Sequence, residues 1–245
     1  FLFFYFRYII VYNLIGGIQI MNPAYSFSYY NYEHIINLIL CLVLGLIILG
    51  FPKYTKINVN KFGTVLGYLI LFLKIFETIY RIKYEHFTLP ESLPLHFCNF
   101  TMIICGLYLI TKSNILFNIT YFFSFGAVMA LILPGVNTYY HQLFFVLFMV
   151  SHATVVIAML YGFIWLKSKP TFSGMTVSII TVLILFLTSY LYNNKFGTNF
   201  MFLKVYIVPF LDFIKPFSLY IGILITAFIL IIILLYIHKK KNKRG

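Results

Sequence analysis

The chain has 245 residues, 62% hydrophobic and only 9% charged, with a mean hydropathy of +0.96. A water-soluble domain carries about a quarter charged residues, so this chain cannot cover a water-facing surface and reads as an all-α polytopic membrane protein. The net charge of +13 lies mostly in short loops and the tail, so it reads as membrane topology and not as a nucleic-acid partner.

Residues 1–20 are apolar but carry Arg7, with no basic leader and no small-residue cleavage site, which makes a poor signal peptide. They are expected to be a translated upstream or loosely ordered segment, with an extra span as the alternative, and Met21 stands as the natural start. Residues 21–238 then read as a single transmembrane domain and 239–245 as a basic cytoplasmic tail. Within the domain, apolar runs bounded by turn and charge signals predict seven helices, near 34–51, 63–84, 93–111, 114–133, 140–166, 173–192 and 217–238. The breaks are set by Phe51-Pro52-Lys53, Pro90 through Pro94, Lys112-Ser113-Asn114, Pro134-Gly135, Lys167 to Pro170 and the long Asn193 to Pro216 connection. No soluble domain and no internal repeat interrupts this series.

Loop charge sets the expected orientation. Lys53, Lys56, Lys61, Lys112, Lys167, Lys169, Lys239, Lys240, Lys241, Lys243 and Arg244 fall on one side. Arg81, Lys83, Lys195, Lys204 and Lys215 fall on the other. The excess predicts a cytoplasmic C-terminus and an external N-terminus. The loop before Leu93, the Pro134 loop and the Asn193–Pro216 loop then gather at the external face.

That face holds the residues able to do chemistry. Ser92 is suited to cap the third helix, and Pro94 is tolerated in a first turn. Cys98 would then lie about six residues in, roughly 9 Å below the helix start, where the helix dipole favours a nucleophilic sulfur. His152 would lie about twelve residues into the fifth helix and descends from the same face. A cysteine and a histidine together form the minimal activated-nucleophile pair. The competing reading is that Cys98 is a small buried hydrophobe, whereas an ionisable residue at membrane depth, such as His152, tends to mark function. His96 stands two residues from Cys98, so it is expected to face away from the thiol and pack between helices.

Lys74, Glu77 and Arg81 share a stripe on the second helix, with Glu77 and Arg81 at pairing distance. They read either as a structural ion pair or, in Glu77, as a group that orients His152 or grips a lipid headgroup. His141 is expected at the external interface. Asn199 either bonds a substrate or caps its own loop. Cys41, Cys98 and Cys105 all lie in apolar runs, against a disulfide framework. No His-x-x-x-His or Cys-x-x-Cys spacing supports a metal, and none is expected. Retinal chemistry needs a lysine in the last helix, and 217–237 has none.

Leu93-Pro94-Leu95-His96-Phe97-Cys98 resembles the Leu-Pro-Leu-His-x-Cys motif of the YwaF-like integral membrane proteins of low-GC bacteria. Gly126 through Pro134, Phe144-Phe145 through His152 to Leu160-Tyr161, and Gly197-Thr198-Asn199-Phe200-Met201-Phe202-Leu203 are similar to three further segments of that family. Phe200 stands where its loop usually has tyrosine. The likeness covers about residues 22–238, and the family is distantly similar to the animal transmembrane protein 164, an acyltransferase that moves fatty acyl chains between phospholipids. The resemblance implies Cys98 as acyl-accepting nucleophile and His152 as its base, and the reading of the residues adds His96, Glu77, Arg81, His141 and Asn199 as candidate supporting or substrate-binding groups. The resemblance also implies membrane lipids as acyl donor and acceptor, no cofactor, and residence in a bacterial cell membrane. The rival classes are a transporter or channel using the Lys74, Glu77 and Arg81 stripe, and a non-catalytic membrane scaffold.

Overall fold

The computed structural model describes residues 25–136, 138–207 and 211–241, the last three as backbone only. The expectations for residues 1–20 and for the tail beyond 241 lie outside the described residues. Seven helices appear among them: α1 Tyr32–Thr55, α2 Val59–Tyr84, α3 Phe97–Thr111, α4 Asn114–Ile132, α5 Gln142–Ile164, α6 Phe172–Phe196 and α7 Phe217–Lys241. Six are long and apolar enough to cross a membrane, and α3 is the short one. The all-α membrane architecture is therefore the observed one.

Four boundaries differ from expectation by four residues, each for a local reason. α2 starts at Val59 and not near 63, because the Asn58 side chain caps it by accepting from Asn60 and Lys61 N–H. α1 runs past Pro52 to Thr55, because a proline three residues from a helix end disrupts little of the ladder. α6 continues through Asn193 to Phe196 and stops at Gly197, whose φ of +73° suits a left-handed cap. α3 starts at Phe97 and not at Leu93. Leu93 precedes Pro94, which pushes it to an extended conformation (φ −64°, ψ 148°). Ser92 caps no helix, since its hydroxyl donates to Thr88 O at 2.9 Å. Glu91 accepts from Thr88 N–H and Oγ1–H at 2.9 and 2.6 Å, tying Thr88 through Ser92 into its own tight turn. These Thr88 hydrogen bonds hold the Glu91 carboxyl below the usual carboxylate range.

α5 is the central helix, with 72% of its apolar window buried against 11% for α7. It packs on α1, α2, α3 and α4, while α7 leans on α6 and the edge of α4. α2 and α3 run antiparallel at very close range. A Cβ on Gly67 would lie 2.7 Å from Gly106 O, so only a residue without one allows this crossing.

One end of the bundle is laced by polar contacts. Tyr25 and Ser26 (β1) pair antiparallel with Tyr139 and Thr138 (β2). His34 accepts from Tyr30 N–H at 3.1 Å through Nδ1, so its Nε2–H donates to Leu131 O at 2.9 Å. Glu85, just past α2, accepts from Tyr140 N–H at 2.8 Å and His141 N–H at 2.9 Å. The end of α2 and the start of α5 are thus fixed at one level. Burial pushes the Glu85 carboxyl up, opposed by those two amides and by His141. Glu85→Ala strands two amides at the α5 N-terminus and is expected to cost about 2 kcal/mol, read as a lower unfolding temperature and faster amide exchange at Tyr140 and His141.

Candidate functional site

The short α3 determines the site. At the opposite end of the bundle α2 and α3 are aligned: a Cβ on Gly63 would sit 2.9 Å from Lys112 Nζ, the cap of α3. α3 has 15 residues, about 22 Å, against 26 residues, about 39 Å, in α2. Most of the deficit falls at the laced end, since Gly63 is only four residues from the start of α2. The contacts keep step along the pair: seven residues on from Gly67 is Lys74, seven back from Gly106 is Asn99, and Lys74 Nζ donates to Asn99 Oδ1 at 2.9 Å. Lys74 lies ten residues from the end of α2, about 15 Å inside. The first turn of α3 is therefore set back about 15 Å from the laced end of α2.

Cys98 is the second residue of that turn and not one six residues below the helix start. The first backbone bond that closes onto the helix entry is Phe100 N–H to His96 O, and His96 makes no side-chain cap. The amides of Cys98 and Asn99 thus have no acceptor within the helix. Phe97 anchors this end, its ring tilted against Phe123 (4.5 Å) and edge-on to Phe228 (4.7 Å). Gly126 of α4 makes the room: a Cβ there would be 2.6 Å from the Phe97 ring and 3.6 Å from Cys98 Sγ.

Between the rim and α3 the chain descends without helix, a conformation tolerated at membrane depth only when packed in protein. Leu95 O accepts from Ser189 Oγ of α6 at 3.2 Å. His96 packs against Phe200 (5.0 Å) and Phe202 (5.5 Å). That phenylalanine turn is built on Asn193, buried in α6, which donates to Phe200 O and accepts from Thr198 Oγ1 and Phe200 N–H at 2.8–2.9 Å. Asn193→Ala removes three buried hydrogen bonds. It is expected to cost about 2–3 kcal/mol and to open residues 197–207 to limited proteolysis.

His152 lies ten residues into α5, again about 15 Å from the rim fixed by Glu85, so it shares the level of Lys74 and the α3 turn. It is 8% exposed. Its Nδ1 is 2.7 Å from Phe148 O, a carbonyl that can only accept. The proton therefore sits on Nδ1 and leaves Nε2 as the base of the neutral ring. Lys74 lies within electrostatic range of Cys98, His96 and His152 together, and Glu77 and Arg81 within range of His152.

Glu77, 3% exposed, is the counter-charge of the stripe. It pairs with Lys74 and stands 3.7 Å from Arg81. The Arg81 guanidinium lies over Phe87 at 4.1 Å, and its Nε is buried without a hydrogen-bond partner. His141 is at the rim, 3.4 Å from Glu85. Asn199 Oδ1 accepts from Lys204 and Val205 N–H at 2.8 and 3.1 Å, within its own loop. The structure thus draws Cys98, His152, His96, Glu77 and Arg81 around Lys74, while His141 and Asn199 serve the rim and the loop. Asn99, Asn193, Gly126 and Glu85 carry weight that sequence reasoning missed. For Asn99 and Asn193 a signal existed, since each is an amide beside or within an apolar helix.

Seven helices, a non-helical descent and a charged cluster at mid-depth define a multi-pass membrane protein with an internal polar site. The chain matches the TMEM164 family over residues 29–236, most of its length, and belongs to that family. An uncharacterized protein of Treponema pallidum (strain Nichols) is 26% identical over 179 residues, covering 73% of this chain and 75% of the relative. No solved structure matches.

Proposed function

We propose that the protein is a lipid acyltransferase working through an acyl thioester on Cys98, with His152 as general base. The observation that carries this reading is the α3 helix entry: its first turn starts at the level of His152 and holds Cys98 beside backbone amides that have no acceptor within the helix. In the first half-reaction the Cys98 thiol proton passes to His152 Nε2 as sulfur attacks an ester carbonyl of a membrane lipid. The C–S bond forms, the ester C–O bond breaks, and the departing lipid alcohol takes the proton from His152. In the second, an acceptor hydroxyl gives its proton to His152 and attacks the thioester; the C–S bond breaks and the proton returns to sulfur. Amides at a helix entry are suited to the oxyanion of both steps. Exchange between an ester and a thioester is close to energy-neutral, so the cycle needs no nucleotide.

Membrane lipids are the proposed donor and acceptor. The four motifs support placing the chain with YwaF-like members of the family, in a bacterial cell membrane. Residues 21–238 then act as one domain, and loop charge supports an external site and a cytoplasmic C-terminus.

Intact-mass measurement of purified protein tests this reading. A hydroxylamine-sensitive acyl increment is expected on wild type and absent from Cys98→Ser. Equal increments on both proteins, or none on either after incubation with phospholipid, defeat the proposal. A transporter would instead respond most to Glu77→Gln and be nearly silent to Cys98→Ala.

A further inference from the structure

We infer that Lys74 is the electrostatic partner of Cys98, supplying the positive charge that stabilises negative charge developing on the sulfur and on the carbonyl oxygen it attacks. The inference deepens the acyl-cysteine reading and rests on it for the reaction served, but its test does not require acyl transfer.

Three observations lead there. Lys74 is 5% exposed and lies ten residues from the end of a helix apolar enough to cross a membrane, where an ammonium is expensive and tends to be kept for function. Glu77 alone would neutralise it, as in a structural pair. Yet Lys74 also reaches across to α3 and fixes Asn99, the residue after Cys98, at 2.9 Å. That second contact turns the ammonium toward the α3 entry, where amides with no acceptor in the helix carry partial positive charge of their own. The other charged or titratable groups around it are Glu77 and Arg81 on α2, His96 before α3, and His152 on α5. α4 offers Gly126 beside the thiol and brings no amine or carboxylate. Among the described residues, Lys74 is the cation hydrogen-bonded to the first turn of α3, one residue from Cys98.

The test is the rate at which N-ethylmaleimide alkylates Cys98 in the full chain in lipid nanodiscs. It is read at the Cys98 peptide by mass spectrometry, so Cys41 and Cys105 stay in place. Lys74→Met is expected to slow alkylation roughly tenfold and thioester formation roughly 100-fold, and Lys74→Arg to restore most of both. Lys74→Met/Glu77→Gln removes both charges, so it avoids a stranded carboxylate and keeps the question open to measurement if the single variant fails to fold. It is expected to melt above Glu77→Ala, since only Arg81 is left without its carboxylate, with Cys98 still slow. Wild-type alkylation in that double variant, or no rescue by arginine in folded protein, overturns the inference. The two proposals fail separately: Lys74-dependent alkylation without any acyl adduct removes the transferase reading alone, and an adduct indifferent to Lys74 removes this one alone.

Discussion

Glu77→Ala is expected to destabilise the protein by about 3–5 kcal/mol, the cost of leaving one member of a buried ion pair unpartnered. Lys74 would keep only Asn99 Oδ1, a neutral acceptor, and Arg81 would lose its nearest carboxylate on the helix. Both cations lie where water has little access, which raises the cost of an unpaired charge. Glu77→Gln should lose less, because an amide oxygen still accepts from Lys74. Lys74→Met/Glu77→Gln should recover the part of the loss owed to Lys74, while Arg81 stays charged without its carboxylate. Thermal unfolding in nanodiscs across this double-mutant cycle gives the coupling directly. A loss under about 1 kcal/mol in Glu77→Ala would falsify the buried-pair assignment.

Much of this architecture is legible in the sequence because membrane helices announce themselves by length of apolar run. Each helix was expected near where it occurs, since Pro134-Gly135, Lys167 to Pro170 and similar clusters interrupt otherwise continuous hydrocarbon. What misled was the competition among capping residues. Ser92-Leu93-Pro94 has the form of a helix start, yet Thr88 and Glu91 form the tighter local turn and Pro94 forces Leu93 to be extended. Four residues of helix are lost in consequence, and the site gains its depth. The pairing of Glu77 with Arg81 was readable from spacing alone. The reach of Lys74 to Asn99 was not, since it depends on the register of α2 against α3, set by the Gly67–Gly106 crossing. The clamp of Glu85 on the start of α5 joins residues 55 and 56 positions apart, beyond any local pattern.

These features explain one another physically. A helix that starts inside the slab exposes polar backbone that lipid cannot satisfy, so the descent above it must be packed in protein. Ser189, Asn193 and the Phe200–Phe202 turn supply that packing on one side. On the other, α2 brings its charged stripe to the same depth. Backbone amides and an ammonium brought to one level give negative charge a place to develop away from bulk water, where each such interaction is stronger.

The second large effect is expected in His152→Ala and Cys98→Ala measured side by side. Loss of the sulfur removes the covalent intermediate, so both the hydroxylamine-sensitive adduct and lipid-to-lipid acyl transfer should vanish. Loss of the imidazole removes only the proton acceptor, so acyl loading should persist but slow by about 10²–10⁴-fold, the usual worth of a positioned general base. The neutral tautomer fixed by Phe148 O makes a finer distinction available. His152→Gln can still donate to that carbonyl and hold the helix surface, so it should fold like wild type and yet be as slow as the alanine variant. Added imidazole should restore part of the rate in His152→Ala if a base is what is missing, and nothing in Cys98→Ala. Should His152→Gln load acyl chains at the wild-type rate, the histidine is a packing residue bonded to its own helix, and the proton must leave Cys98 by another route.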